Sequence, residues 1–308
     1  GINNYVEVPD NSLLDFRDSL TIEATINLVN VNGYYNVTGK SWCNNAYSYN
    51  LSVDNGKVMF DWSANGNCAS PRVFQTDMPV IYSGICTHIA VVFSTIEVKI
   101  YVNGISVPGT LISGSYGQIF NSNSPLRIGT YRGFSGNFAN FYSGKIDEVR
   151  FWNRKLSALE INANMNSSLV GNELGLVAYY TMEESGTGNG FSIINQCTTT
   201  GSSLNGISIG STNQPSHVAS CALTESIFYA DADNDGYGNS AIDSLSFTQP
   251  VGYVIDSTDC DDNNINIHPG APEICSNGID EDCNIVDAVC GQALHFDGSN
   301  DRVNIGNS

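Results

Sequence analysis

The chain has 308 residues, enough for one large β domain with a smaller module or for two or three ordinary domains. Its 31 acidic and 12 basic residues give a formal net charge of -19, which would repel nucleic acid phosphates and the anionic face of a membrane. We therefore expect no nucleic-acid partner and no membrane insertion, and consider cationic partners, neutral glycans or metal ions instead.

The residue types indicate where the protein works. Nine cysteines, few lysines and an abundance of Asn, Ser, Thr, Gly and Tyr are typical of a secreted or cell-surface protein, since disulfides persist in oxidising compartments. No apolar run approaches the ~20 residues of a membrane span. The start, GINNYVEVPD, lacks the features of a signal peptide, so we expect either a processed chain or a piece of a longer one.

The region from the start to about residue 222 consists of short apolar-alternating segments bounded by Gly, Asn, Asp and Ser. Examples are SLTIEATINL, YSYNLSV, KVMFDW, HIAVVF and EVKIYVNGISV. In the last of these, Asn103-Gly104 predicts a hairpin turn. One short helix is predicted after RFWNRK, because Ser157 and Glu160 have capping-box spacing. The pattern predicts two packed antiparallel sheets.

Several separated motifs of this region occur in an order typical of one family. They are NNYVEVPDN, THIAVVF with VKIYVNG, SPLRIGT, GKIDEVRFWNRKLSALEI and GLVAYYTMEES. Together they resemble a laminin-G-like domain of the concanavalin type. The resemblance implies an all-β fold, an antiparallel two-sheet jelly-roll sandwich, over residues 1–222. It also implies a structural calcium at Asp147, with Asp297 as its counterpart in a following repeat; an ordinary strand-end carboxylate is the alternative.

Four aromatic residues lie around the segment between Cys43 and Cys68. Such side chains stack on sugar rings in lectins, although the same residues are more often core or half-buried strand positions. The candidates for glycan binding are Trp42, Tyr47, Tyr49 and Trp62. Catalysis has little support, because the paired carboxylates that a glycosidase needs are missing and Glu183-Glu184 would point to opposite faces of a strand. We expect no enzymatic activity.

Composition changes at about residue 223. Residues 225–290 contain fourteen Asp and Glu but no Lys or Arg, and little periodic apolar pattern. Such a segment cannot build much of a core, so we predict a small loop-rich module at residues 223–291 that disulfides and metal ions stabilise.

The stretch YADADNDGYGNS in this module has the spacing of a metal-binding loop. Asp231, Asp233 and Asp235 occupy positions 1, 3 and 5, Gly236 gives the turn at position 6, and Tyr237 would offer its carbonyl at position 7. Position 12 is Ile, not the bidentate Glu of an EF-hand. The missing ligands must therefore come from elsewhere in the chain.

Candidate ligands follow downstream. They are Asp259, Asp261, Asp262, Glu273, Asn277, Asp280, Glu281 and Asp282. The order DADNDGYG, GYVIDSTDCDDNN and IHPGAPEICSNGIDEDCN resembles the bacterial MopE-type metal-binding module over about residues 228–284. In the namesake of this family, copper binding depends on a modified Trp together with His ligands. Copper is disfavoured here, because the module has no Trp and only His268 as a nitrogen ligand. An all-oxygen set suits one or two calcium ions; an acidic loop ordered by disulfides alone is the alternative.

The cysteines impose a further constraint. Cys260, Cys275, Cys283 and Cys290 lie in or beside the module, and two bridges among them allow three connectivities; a zinc site is the competing interpretation. Within the jelly roll we expect two loop bridges and one leftover, reduced cysteine. The expected pairs are Cys43 with Cys68 and Cys197 with Cys221, leaving Cys86.

The tail, residues 292–308, resembles the beginning of the chain. Gly298, Asn300, Val303 and Ile305 fall onto Gly1, Asn3, Val6 and Val8 with a constant offset. We interpret the tail as the first strand of a following jelly-roll repeat, with chance similarity as the alternative. The first jelly roll would then lack its leading strand, which a preceding repeat, the chain's own tail or a neighbouring molecule's tail could supply by strand addition.

These observations favour a non-enzymatic extracellular repeat of a long bacterial surface, adhesin or fibre protein, in which calcium rigidifies the module between jelly rolls. Its partners would be neighbouring repeats or copies of the same protein. The alternatives are a lectin-like adhesin that binds cell-surface or matrix glycans, and an accessory module of a secreted polysaccharide-degrading enzyme.

Overall fold

The computed structural model describes residues 4–133, 136–184, 189–210, 226–246, 250–275, 277–286 and 298–299. The chain divides into two compact units, Gly1–Thr224 and Glu225–Ser308, which we call the jelly-roll unit and the acidic unit. The predicted domain boundaries at residues 222 and 291, and most of the predicted tail strand at 292–308, lie outside the described residues.

The jelly-roll unit is built almost entirely of strands. They are β1 (Tyr5–Val8), β2 (Ser19–Leu28), β3 (Tyr34–Trp42), β4 (Ala46–Asp54), β5 (Lys57–Trp62), β6 (Arg72–Thr76), β7 (Thr87–Ser94), β8 (Glu97–Val102), β9 (Ile105–Val107), β10 (Gly109–Ser113), β11 (Leu126–Ile128), β12 (Tyr131–Arg132), β13 (Phe138–Ala139), β14 (Gly144–Trp152), β15 (Leu176–Tyr180), β16 (Ser192–Ile193) and β17 (Gly206–Ile209). One helix, α1 (Ala158–Met165), and two short 3-10 turns, Ser12–Leu14 and Gly201–Leu204, accompany them.

These strands form two sheets. The first, sheet A, has the order β10-β6-β5-β4-β3-β11-β1-β17-β16, with β12 paired to β3 and β13 paired to β12. The second, sheet B, has the order β15-β14-β2-β7-β8-β9. Neighbours within each path pair antiparallel, as the sequence predicts.

One hydrophobic core lies between the two sheets. Ile22 and Val91 point into it from sheet B, and Leu51 and Phe60 do so from sheet A; all four are fully buried. Because strand side chains alternate between faces, the apolar alternation read in the sequence becomes the inner face of each sheet. The two-sheet jelly-roll fold is therefore confirmed.

Two local predictions are also confirmed. Asn103 and Gly104 both have positive φ, 45° and 84°, as a tight hairpin turn between β8 and β9 requires, and Val102 pairs with Ile105. At the start of α1, Ser157 accepts a hydrogen bond from the backbone of Glu160, whose carboxylate accepts one from Ser157 in return.

A second, smaller cluster of buried residues lies apart from the main core. Ala90 and Val92 of β7 contribute to it from the side opposite Val91, and Ile161 of α1, Trp152 and Cys197 pack with them. The helix thus covers the outer face of sheet B.

The acidic unit has a three-stranded sheet of order β19-β18-β20, formed by β18 (Ser226–Ala230), β19 (Asn239–Ser246) and β20 (Tyr253–Val254). The rest of its described part is loop and turn. Among its described hydrophobic residues, only Phe228, Ile267 and Ala271 are buried, whereas Asp231, Asp262 and Glu281 are buried polar residues. The expectation of a loop-rich module with little core is confirmed.

Candidate metal centre

The loop between β18 and β19 holds three aspartates in fixed positions. Asp231 Oδ2 accepts a hydrogen bond from the Gly236 amide at 3.3 Å, and Asp233 Oδ1 accepts one from the Asp235 amide at 3.2 Å. Asp235 Oδ1 accepts one from the Tyr237 amide at 2.8 Å. Each carboxylate therefore has one oxygen fixed by the loop backbone and a second oxygen free to face another group.

Two downstream aspartates lie against this loop. The Ala232 amide donates to Asp262 Oδ1 at 2.8 Å, and the Asp259 amide donates to the carbonyl of Gly238 at 3.3 Å. Asp259 Oδ1 accepts from the Asp261 amide at 2.8 Å, which repeats the pattern of one fixed oxygen. The loop and the STDCDDNN segment are thereby joined into one acidic site.

The second oxygens of this site are buried without hydrogen-bond partners. They are Asp231 Oδ1, Asp233 Oδ2, Asp235 Oδ2 and Asp259 Oδ2. The carboxylates form two triads, Asp231–Asp233–Asp262 and Asp233–Asp235–Asp259. Within each triad the ligand oxygens lie within 4.8 Å of one another. Buried anionic oxygens without donors are costly, so this arrangement favours either a bound cation or protonation of the carboxylates.

The protein itself does not provide a compensating positive charge nearby in sequence, because no Lys or Arg occurs between Lys155 and Arg302. Burial raises the pKa of Asp233, and the negative charges of Asp235, Asp231 and Asp262 raise it further. The pKa of Asp259 is likewise raised, mainly by burial. A bound cation would remove both penalties.

The donors of this site suit a hard cation. All are carboxylate oxygens, the ligand type that such ions take. Cys260 and Cys283 also approach Asp259, but they form a disulfide with each other, so neither is a thiolate ligand for zinc. The ring of His268 stacks on Tyr237 with centroids 5.3 Å apart.

A second acidic group contains Glu273, Asp280 and Asp282, whose ligand oxygens also lie within 4.8 Å of one another. The Asp282 amide donates to Glu273 Oε1 at 2.9 Å, and the Asn284 amide donates to Asp280 Oδ1 at 3.0 Å. These three side chains are half-buried. The sequence suggested all three as ligands that complete the Asp231 loop, whereas the structure brings them together in a separate group.

Two of the downstream candidate ligands, Asp261 and Asn277, are not part of these acidic groups. Asp261 is exposed, and its neighbours Asp259 and Asp262 point into the first site instead. Asn277 is exposed, and its amide donates to Glu281, a buried residue that also accepts from the Ile274 amide at 3.0 Å. Glu281 thus ties the loop of the second group together.

Asp147 lies in β14 and is buried, with Oδ1 accepting a hydrogen bond from the Glu148 amide at 2.9 Å. Within the described segments, no group of three acidic, His or Cys ligands includes it. Its expected counterpart, Asp297, lies outside the described residues.

The disulfides differ partly from expectation. Cys43–Cys68 and Cys260–Cys283 are present, and Cys275 is also disulfide-bonded. The prediction that Cys197 pairs with Cys221 is wrong, because Cys197 is a buried free thiol. Its Sγ lies 3.4 Å from the carbonyl of Leu176, inside the cluster under α1.

Cys86 was expected to be the reduced cysteine, and that prediction is also wrong, because Cys86 is disulfide-bonded. Pairing depends on which sulfurs meet in space, which sequence spacing does not determine. Cys221 and Cys290 lie outside the described residues.

The predicted aromatic platform for glycans does not form. Tyr49 and Trp62 are fully buried, because alternation in β4 and β5 turns their rings into the core. Tyr47 is 5% exposed, and its hydroxyl donates a hydrogen bond to Asp61. Trp42 is half-buried, with the guanidinium carbon of Arg132 4.3 Å from its ring centre.

Comparison with known proteins decides the family of the jelly-roll unit. Residues 1–162, more than half of the chain, match the family model of the concanavalin A-like lectin/glucanases superfamily. The chain belongs to this superfamily. A second family model, described as a "putative metal-binding motif" of the MopE type, matches residues 259–287. The second match includes Asp259, Asp262 and the second acidic group, but not the loop between β18 and β19 that carries Asp231.

Solved structures agree with the concanavalin A-like fold. A structure described as "a putative carbohydrate binding protein" from Bacteroides ovatus is 20% identical with a TM-score of 0.51, covering 71% of this chain and 60% of that one. The chain thus spans about 60% of the length of that protein. At this identity the likeness shows the fold alone.

More distant members of the comparison are a pentraxin and a sialidase module. The heptameric SAP-like pentraxin from Limulus polyphemus is 17% identical (TM-score 0.35, 52% of this chain and 80% of that chain). The CBM40 of a Ruminococcus gnavus IT-sialidase, bound to alpha2,3 sialyllactose, is 14% identical (TM-score 0.41, 51% and 90%). No curated protein sequence matches significantly. No helix in the described part of this superfamily member is long and apolar enough to cross a membrane.

Proposed function

We propose that the chain is a non-enzymatic extracellular module whose acidic unit is stabilised by calcium. The observation that carries the proposal is the set of four buried carboxylate oxygens without hydrogen-bond partners, from Asp231, Asp233, Asp235 and Asp259. Their mutual repulsion disfavours the folded loop until a cation neutralises it.

Calcium suits these residues best among common ions. It takes six to eight oxygen ligands in flexible geometry, which carboxylates from two loops supply together with carbonyls and water. Magnesium prefers a smaller octahedral shell and retains its waters. Weak sites, with dissociation constants of about 10⁻⁴ to 10⁻³ M, would be filled outside the cell.

The disulfides support an extracellular location. An ion that binds only the folded state stabilises it, so calcium would make the acidic unit resistant to proteolysis. A rigid unit of this kind would also serve as a spacer between repeats. We propose a repeat of a bacterial surface, adhesin or fibre protein, with further copies or repeats as partners. The candidate strand exchange between repeats involves the tail, most of which lies outside the described residues.

The test is limited proteolysis of the intact chain in calcium, in magnesium and in EGTA, with cleavage sites mapped by mass spectrometry. We expect EGTA to expose residues 225–290 to rapid cleavage, at least tenfold faster than in calcium. Asp231→Asn/Asp259→Asn should be cleaved rapidly even in calcium. Asp243→Asn, which changes an exposed acid of β19, is the matched control and should behave as the wild type. Equal cleavage rates with and without calcium would refute the proposal.

A lectin-like function is the second candidate. It is supported by the match to the concanavalin A-like lectin/glucanases superfamily, and Trp42 is the one candidate aromatic residue that is not buried. A glycan array probed with the intact chain, Trp42→Ala and, as matched control, Tyr82→Ala tests it; Tyr82 is an exposed aromatic residue at 62% exposure. Binding that is lost only in Trp42→Ala supports this function, and an array without signal contradicts it.

A further inference from the structure

The five aspartates of the first site do not form a single ligand group. They form two triads, Asp231–Asp233–Asp262 and Asp233–Asp235–Asp259, that have Asp233 in common. Within each triad the ligand oxygens lie within 4.8 Å of one another, while no larger group of described acids meets that limit.

This division matters because of the size of a calcium ion. Calcium–oxygen distances are about 2.3 to 2.6 Å, so two oxygens on the same ion are at most about 5 Å apart. Each triad satisfies this limit alone. Apart from Asp233, no carboxylate of one triad is grouped with the carboxylates of the other, so the geometry matches two ions better than one.

The buried oxygens without partners are distributed over both triads. Of the residues that carry them, Asp231 belongs only to the first triad, Asp235 and Asp259 only to the second, and Asp233 to both. Asp231 is 8% exposed and Asp262 7%, so water does not readily solvate the first triad. One ion would compensate one triad and leave donorless buried oxygens in the other.

Charge leads to the same conclusion. Five carboxylates carry five negative charges, of which one calcium neutralises two and two calcium ions neutralise four. No Lys or Arg occurs in the sequence of this unit before Arg302.

We propose that the first site is binuclear and that the Asp233 carboxylate bridges two calcium ions. Asp231 and Asp262 complete the protein carboxylates of one ion, and Asp235 and Asp259 those of the other. This inference rests on the proposed calcium function and adds the number of ions and the assignment of their ligands.

The experiment counts calcium ions bound to the intact chain by native mass spectrometry and by calorimetric titration. Asp262→Asn should bind one ion fewer than the wild type, Asp235→Asn also one fewer, and Asp233→Asn two fewer. Asn retains a side-chain oxygen for the backbone hydrogen bonds at these positions, which keeps the loop contacts. Asp261→Asn is the matched control, because Asp261 is adjacent to Asp262 but exposed, and it should lose none.

A wild-type measurement keeps the proposal testable if a variant does not fold. Manganese, which also accepts carboxylate oxygens, is titrated into the intact chain and followed by electron paramagnetic resonance. A spin-coupled manganese pair is expected, and spectra of isolated ions only would overturn the bridge. Loss of a single ion in Asp233→Asn would also overturn it while leaving calcium binding intact. A wild-type chain that binds no calcium would instead refute the proposed function itself.

Discussion

Cys260 and Cys283 are joined by a disulfide, and each lies directly beside a carboxylate of a different acidic group. Asp259 of the first site precedes Cys260, and Asp282 of the second group precedes Cys283. The bridge therefore holds the two ligand-bearing loops together whether or not a metal is bound.

Replacing both cysteines, in Cys260→Ser/Cys283→Ser, should destabilise the acidic unit. The bridge spans 23 residues, and a loop of this size corresponds to about 3 kcal/mol of chain entropy. Calcium should therefore protect residues 225–290 from protease only at about tenfold or higher concentration than in the wild type. The control is Cys43→Ser/Cys68→Ser, which removes a bridge from the jelly-roll unit. If both double variants require the same calcium concentration as the wild type, the bridge does not support the site.

Asp61 gives the jelly-roll unit a specific pH dependence. It accepts hydrogen bonds from the Tyr47 hydroxyl and, at 3.3 Å, from the Asn50 amide, but burial outweighs them and raises the pKa of Asp61 to about 6. The unfolded chain has a pKa of about 3.9 at this residue. The stability from Asp61 is therefore fully present below about pH 3.9 and is lost as the pH rises through about 6.

Between about pH 3.9 and pH 6, the free energy of unfolding should fall by an amount on the order of 3 kcal/mol because of Asp61. Asp61→Asn should remove this pH dependence. Urea unfolding followed by tryptophan fluorescence measures it, because all three tryptophans belong to the jelly-roll unit. Asp18→Asn, which changes an exposed acid, is the control and should retain the wild-type pH dependence. If the free energy of unfolding of Asp61→Asn varied with pH as that of the wild type does, Asp61 would have the same pKa in the folded and unfolded states, which would contradict the prediction.

Trp62 should act as a core residue and not as a ligand contact. Its side chain is fully buried, stacks on Phe60 at 5.6 Å and meets Phe93 edge-on at 5.2 Å. Trp62→Ala should lower the free energy of unfolding by about 3 to 5 kcal/mol, as truncation of large core aromatics does. Tyr82→Ala, which changes an exposed aromatic, should cost less than about 0.5 kcal/mol. A small cost for Trp62→Ala in urea unfolding would contradict its place in the core.

Cys197 should be protected from thiol reagents in the native protein. It is 1% exposed and packs with Leu176 and Trp152. Iodoacetamide should therefore modify it only after unfolding, as peptide mapping of native and denatured samples would show. Rapid modification of the native protein would mean that this cluster opens readily.

Local features were predictable because they depend on neighbouring residues. The Asn103-Gly104 turn requires two residues that tolerate positive φ, and the cap of α1 requires a hydroxyl and a carboxylate three residues apart. The Asp231 loop likewise depends on its own backbone, since its carboxylates accept hydrogen bonds from amides within five residues.

Contacts between distant segments were less predictable. Asp259 and Asp261 have equivalent places in the sequence pattern, yet one faces the first site and the other faces solvent. From the sequence alone, the rings of Tyr49 and Trp62 could have pointed to either face of their sheet. A shift of one residue in strand register would have turned them from the core to the outer face. The cysteines were also mispredicted: Cys86, expected to be reduced, is disulfide-bonded, and Cys197, expected to be disulfide-bonded, is a free thiol.

The amino-acid sequence alone was enough to predict the alternating strands, the two-sheet class of fold, the hairpin turn and the helix cap. It also identified an acid-rich segment without cations that requires another source of order. Periodicity, turn chemistry and net charge are properties of short stretches, so they can be read without coordinates. Only the tertiary structure decided that Asp259 and Asp262 join the hairpin loop, that Asp233 is common to two triads, and which aromatic rings are buried. These outcomes depend on strand register and on the meeting of distant loops, which packing of the whole unit determines.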